Sequence, residues 1–102
     1  LSSIARFWEN KNLEEFSKEL ANSFKGDEGR LRRMLSALAT CTTVEEAKAV
    51  IAFHYHRSKS QEVKRVLGQL FKELGDIDNE KFREKVVPRL RALYNFTIYY
   101  TV

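Results

Sequence analysis

The sequence predicts an all-α fold, a compact bundle of five or six short amphipathic helices, from three observations. Apolar residues recur at steps of three and four along most of the 102 residues, and only four glycines and one proline interrupt them. Leu, Ala, Glu, Lys and Arg, all good helix formers, are abundant. Hydrophobic residues make up 43% and charged residues 31%, a balance that favours a folded core over disorder. One helical domain spanning residues 1–102 is expected, large enough to bury a modest core without disulfides or metal.

Ile4, Phe7 and Trp8 crowd one side of a first short helix, which breaks at Asn10-Lys11-Asn12. Asn12 caps the next helix, with Glu15 three residues on in a variant capping box, and Leu13, Phe16, Leu20 and Phe24 form its buried stripe. Gly26 ends it. Asp27 is the expected cap of a helix with Leu31, Met34, Leu35 and Leu38 inside, which leaves Arg30, Arg32 and Arg33 mainly outside. The β-branched run at Thr40, Thr42 and Thr43 interrupts it, and Thr43 with Glu46 is a regular capping box that opens the clearest helix of the chain. Its stripe is Val44, Ala47, Ile51 and Tyr55, flanked by Val50 and His54.

Ser58 or Ser60 starts another helix, with Val63, Val66, Leu67, Leu70, Phe71 and Leu74 inside. Gly75 fits the left-handed residue that terminates a helix, with Ile77 closing over the end. Asp78 caps the last helix, which buries Phe82, Val86, Leu90, Leu93 and Ile98. Pro88 lies inside that stripe, so a kink or restart is expected near Val87, because proline lacks an N–H and crowds the preceding turn. The tail YNFTIYYTV has strand-like composition but continues the helical stripe, and is read as helix.

Net charge is +4, unevenly spread. Residues 1–29 hold four bases against six acids, whereas residues 30–102 hold 14 bases against eight acids. The less basic N-terminal helix suits a protein neighbour and the rest suits phosphate. Arg30, Arg32 and Arg33 precede one helix junction, while His56, Arg57, Lys59, Lys64 and Arg65 surround the next. Part of this charge complements the dipole at a helix C-terminus. The remainder points to a polyanion, with phosphate contacts supplying affinity and Tyr55 or His56 available to stack on bases. A second series, Lys81, Arg83, Lys85, Arg89 and Arg91, is interspersed with Glu80 and Glu84 and reads as a solvated face.

Other chemistry finds little support in the residues. His54, His56 and Cys41 are the only soft metal-ligand candidates, and His-x-His on a helix turns its rings about 200° apart, so no metal or cofactor is expected. Cys41 beside threonines reads as a small buried hydrophobe, and no phosphate loop, carboxylate pair or HExxH helix is present, so no enzyme is predicted. A lone cysteine suits a reducing compartment, and no apolar run approaches the roughly 18–20 residues that cross a bilayer, which makes the cytoplasm the expected location and a membrane no partner. Two alternatives stand beside nucleic-acid backbone binding. One is a protein interaction module. The other is a helix-turn-helix DNA reader using Ser60, Gln61, Lys64 and Arg65.

The middle segment ALATCTTVEEAKAVIAFHYHRS and the aromatic end RALYNFTIYYTV, within a small basic helical chain, resemble the helical small subunits of archaeal CRISPR effector complexes of the Cascade kind, including the type I-A small subunit. The resemblance lies in size and helix pattern over most of the length. It implies a non-catalytic subunit, present in several copies along a guide RNA, that lines a groove for guide, target or displaced strands of RNA or DNA. Phe7, Trp8, Tyr99 and Tyr100 are the candidate contacts to neighbouring subunits, including copies of the chain itself.

Overall fold

A computed structural model describes residues 6–101. A π-helical turn at Arg6–Asn10 precedes α1 (Leu13–Ser23), α2 (Glu28–Leu38), α3 (Val44–Arg57), α4 (Gln61–Leu74), α5 (Asn79–Lys81) and α6 (Val87–Thr101), with a π-helical stretch at Phe82–Val86 joining the last two. The described residues thus form an all-helical bundle with no strand. Ile4, expected in the first helix, lies outside the described residues.

The helix starts follow from side-chain acceptors that satisfy otherwise orphaned backbone N–H groups. Asn12 Oδ1 accepts from the N–H groups of Glu14 and Glu15, Ser60 Oγ from Val63, and Asp78 Oδ1 from Lys81. Thr43 Oγ1 accepts from Glu46 N–H, while the Glu46 carboxylate reaches back one residue further than a standard capping box, to Thr42 N–H at 2.8 Å. Asp27 is an exception. Its side chain caps nothing, because its Oδ2 accepts from Arg30 Nε at 2.8 Å instead.

Gly26, at φ +88°, takes the left-handed conformation that ends α1. Gly75 does not: it ends α4 right-handed at φ −63°, with its N–H donating to Lys72 O. Ile77 is buried over that end, as expected. Ahead of Pro88 the helix widens into the π-helical stretch, closed by Val87 N–H donating to Phe82 O, and α-helix restarts at Val87. One extra residue in the turn relieves the crowding that proline imposes on the preceding carbonyls. The YNFTIYYT tail continues as helix to Thr101.

The helices form a closed circuit, α6 packing on α1 and α2, α2 on α3, α3 on α4, and α4 back on α1. One apolar cluster fills the centre, with Trp8, Phe16, Phe24 and Phe82 fully buried. Several stripe assignments change: Leu13 and Tyr55 are only half-buried, and His54, expected to flank the α3 stripe, is buried in it. Phe71 is 40% exposed, and Thr97 is buried at the place on α6 expected of Ile98, which is only half-buried. For the site, the useful consequence of the circuit is that α3 has two flanks, one toward α2 and one toward α4.

Candidate nucleic-acid interface

On α2, successive residues turn by about 100°, so Arg30, Arg32 and Arg33 cannot share a direction. Arg32 goes toward α6, where its Nη1 donates to Thr101 O at 3.2 Å and Thr101 Oγ1 at 3.0 Å. Arg30 goes toward α3, with Nε on the Asp27 carboxylate and Nη1 3.3 Å from His54 Nδ1. A guanidinium only donates, so His54 Nδ1 accepts and the ring is neutral with its proton on Nε2. Arg33 is exposed between them and lies back over Gly29, where an added Cβ would come within 3.3 Å of its Nη1.

His54 is buried at the last turn of α3. Its pKa is lowered from 6.5 by burial first and then by Arg30, Arg33 and Arg57, with Asp27 partly opposing them. Three guanidinium groups against one carboxylate make this end of α3 positive. Arg57 lies 4.4 Å over the centroid of Phe53, whose ring is 52% exposed and edge-on to His54 at 5.1 Å. Lys59 follows, exposed and without an ion pair among the described residues, as are Arg33 and Arg57.

Of the eight predicted binding residues, Arg30, Arg33 and Arg57 therefore lie at the α2/α3 junction, and Lys59 is exposed just beyond the end of α3. The other four do not join them. His56 and Lys64 lie on the α4 flank of α3, where His56 meets Tyr55 edge-on and Lys64 Nζ stands 5.2 Å over the Tyr55 ring. Arg65 faces α1 across a groove and is forked onto Glu62, with Nη2 2.6 Å from Oε2 and Nε 3.1 Å from Oε1. Arg32 is occupied by the end of α6. Phe53 and His54 were missed as members of the site, although Phe53 and Arg57 stand at i and i+4, the spacing that pairs side chains on one helical face.

The expected subunit contacts also divide. Trp8 is 1% exposed and Phe7 is buried, so both belong to the core rather than to an interface. The turn that carries them is held by Glu73, which accepts from Phe7 N–H at 2.8 Å, by Trp8 Nε1 donating to Leu70 O at 3.2 Å, and by Arg89. Tyr99 is 77% exposed on α6 beside the exposed Phe96, whereas Tyr100 is half-buried and donates to Glu14 Oε2 at 2.7 Å.

Cys41 is buried between α2 and α3, its Sγ donating to Ala37 O, and burial followed by the nearby Glu46 raises its pKa, which keeps it a thiol. Among the described residues no three His, Cys, Asp or Glu side chains are grouped to hold a metal, and no helix is long and apolar enough to cross a membrane. Compared with known protein families, curated proteins and solved structures, the chain matches none.

Proposed function

We propose that this chain is a non-catalytic subunit that binds the backbone of single-stranded RNA or DNA at the α2/α3 junction, in a ribonucleoprotein assembly of the CRISPR effector kind its sequence resembles. The observation that carries the reading is a pair of exposed guanidinium groups without an ion pair among the described residues: Arg57 over the exposed Phe53 ring that meets His54 edge-on, and Arg33 one turn along α2 from Arg30, which itself reaches His54. Guanidinium groups meet phosphate oxygens in a bidentate fork, and an aromatic face next to them stacks a base of any identity. A duplex keeps its bases stacked inside, so Phe53 contributes only on a single strand. Tyr99 and Phe96, both exposed, are the apolar surface on which a neighbouring subunit would sit.

The helix-turn-helix alternative draws less support. Ser60 Oγ is engaged as the cap and Arg65 is held by Glu62, which leaves only Gln61 and Lys64 at the start of α4.

Fluorescence anisotropy with labelled oligo-dT and oligo-U tests the reading. The double substitution Arg33→Glu and Arg57→Glu is expected to weaken binding about a hundredfold or more and to reduce the slope of log affinity against log salt by about two or more, with far-UV circular dichroism unchanged. Phe53→Ala is expected to weaken single-strand binding about tenfold and leave duplex binding alone. Full affinity in the doubly reversed variant would place the site elsewhere.

A further inference from the structure

The α4 flank of α3 carries a second surface with a different chemistry. A shallow groove there is floored by Ala52 and Gly68, over the fully buried Ile51 and Leu67, and walled by Tyr55 and Phe71. Phe71 continues the apolar stripe of α4, yet it is 40% exposed. The cations of the rim lean over the walls, Lys48 Nζ at 5.6 Å from the Phe71 ring and Lys64 Nζ at 5.2 Å from the Tyr55 ring, with His56 at one end. Among the described residues no carboxylate lines the groove. Glu45 and Glu46 are exposed in the first turn of α3 but are not among its lining residues.

Gly68 sharpens the point. It sits mid-helix, where glycine is the poorest ordinary choice, and its backbone is not left-handed. An added Cβ would meet only Tyr55 Cε2, at an ordinary 3.8 Å. The fold therefore gains nothing from the missing side chain, and what glycine does provide is depth in the floor of the groove. From Ile51 to His56 the groove runs beside five helical steps of α3, about 7.5 Å, and Lys48 extends its rim by less than one further turn, a length suited to one to two turns of a partner helix.

We propose that this groove docks an acidic amphipathic helix of a partner protein, its apolar residues against Ala52, Gly68, Tyr55 and Phe71 and its carboxylates against Lys48, Lys64 and His56. An apolar stripe with acidic margins is the complement of an apolar floor with cationic rims. A nucleic-acid strand fits less well, because the small Ala52 and Gly68 side of the groove offers no hydrogen-bonding group to a base or phosphate. The proposal does not depend on the arginine cluster, which lies on the opposite flank of α3.

The test is selection of a displayed random peptide library on the intact chain, with counter-selection on Gly68→Leu. Enriched peptides are expected to show Leu or Phe at helical spacing flanked by Asp and Glu. A synthetic copy should lose affinity about tenfold or more on Gly68→Leu and on the double substitution Lys48→Glu and Lys64→Glu. Gly68→Ala should raise Tm while weakening the peptide, a pairing that a merely structural glycine would not produce, and all variants should keep oligonucleotide binding at the α2/α3 junction. The proposal is overturned if nothing enriches over the Gly68→Leu control, if the selected peptides are not acidic, or if oligo-dT displaces the peptide and loses affinity on Gly68→Leu.

Discussion

Two arginine-bearing regions of this molecule use the same side chain in opposite ways. At the junction of the N-terminal turn with α6, the Arg89 Nη2 donates to Phe7 O at 2.8 Å and to Lys11 O at 2.7 Å, while Lys81 pairs with Glu9 at 3.1 Å. At the α2/α3 junction, Arg33 and Arg57 are exposed and form no ion pair among the described residues. Both regions carry several Arg and Lys, so availability is decided by what surrounds each guanidinium. Arg89 meets two backbone carbonyls of the N-terminal segment, and is consumed by them. Arg57 meets the Phe53 ring, which leaves its N–H edge open to a phosphate.

The contrast makes its largest prediction for the pair Arg89→Ala and Arg57→Ala. Loss of two charge-assisted hydrogen bonds at a half-buried site should cost about 2–4 kcal/mol of unfolding free energy for Arg89, read from urea midpoints, with partial recovery in Arg89→Lys. Arg57→Ala should stay within about 0.5 kcal/mol of the parent. Oligonucleotide affinity should rank the other way, with Arg57→Ala the weaker binder while both are folded. Equal stability losses would break the distinction between a consumed and an available arginine.

A smaller effect belongs to Arg32, expected at the binding face but found holding the end of α6. Its bonds to Thr101 O and Oγ1 restrain a helix terminus, where opening is local. Arg32→Ala should therefore cost only about 1 kcal/mol globally. Amide exchange in the last turn of α6 should accelerate markedly, with binding of oligo-dT unchanged apart from the loss of one positive charge. A large drop in affinity with unchanged exchange would return Arg32 to the binding face.

The helices were legible because the information for them is local. Stripes at Phe16 and Leu20, at Met34 and Leu38 and at Leu67 and Leu70, together with caps at Asn12, Thr43, Ser60 and Asp78, need only neighbours three or four residues away. Pro88 announced the restart of α6 for the same reason. Gly75 misled, since a glycine after a helix permits the left-handed state without requiring it. The site was legible in part: composition located the basic segments, but whether a guanidinium is spent depends on partners far away in the chain, such as Thr101 for Arg32 and Lys11 for Arg89. Trp8 could not be told from an interface residue, because a core and an interface select the same aromatic side chain.

The smallest effect belongs to His54, which reports on the environment at the end of α3. Burial first, and then Arg30, Arg33 and Arg57, hold its pKa below the ordinary 6.5, so the native state resists a proton that the unfolded chain accepts. Above pH 6.5 the ring is neutral in both states and stability is unaffected. As pH falls through that value the unfolded state takes up the proton first, and stability declines until the native ring titrates as well. The carboxylates of Glu14, Glu28, Glu46 and Glu62 are held below 4.5, mainly by the hydrogen bonds they accept, so the stability they supply is lost only at lower pH and the two windows are separate. Urea midpoints followed from about pH 8 to about pH 5 should fall in the parent and stay flatter in His54→Gln, which keeps an acceptor for Arg30 but cannot charge. Saturating oligo-dT should flatten the parent as well, because phosphate beside the guanidinium groups makes protonation of His54 easier, and binding should tighten as pH falls. An identical slope in parent and His54→Gln would place the acid sensitivity elsewhere.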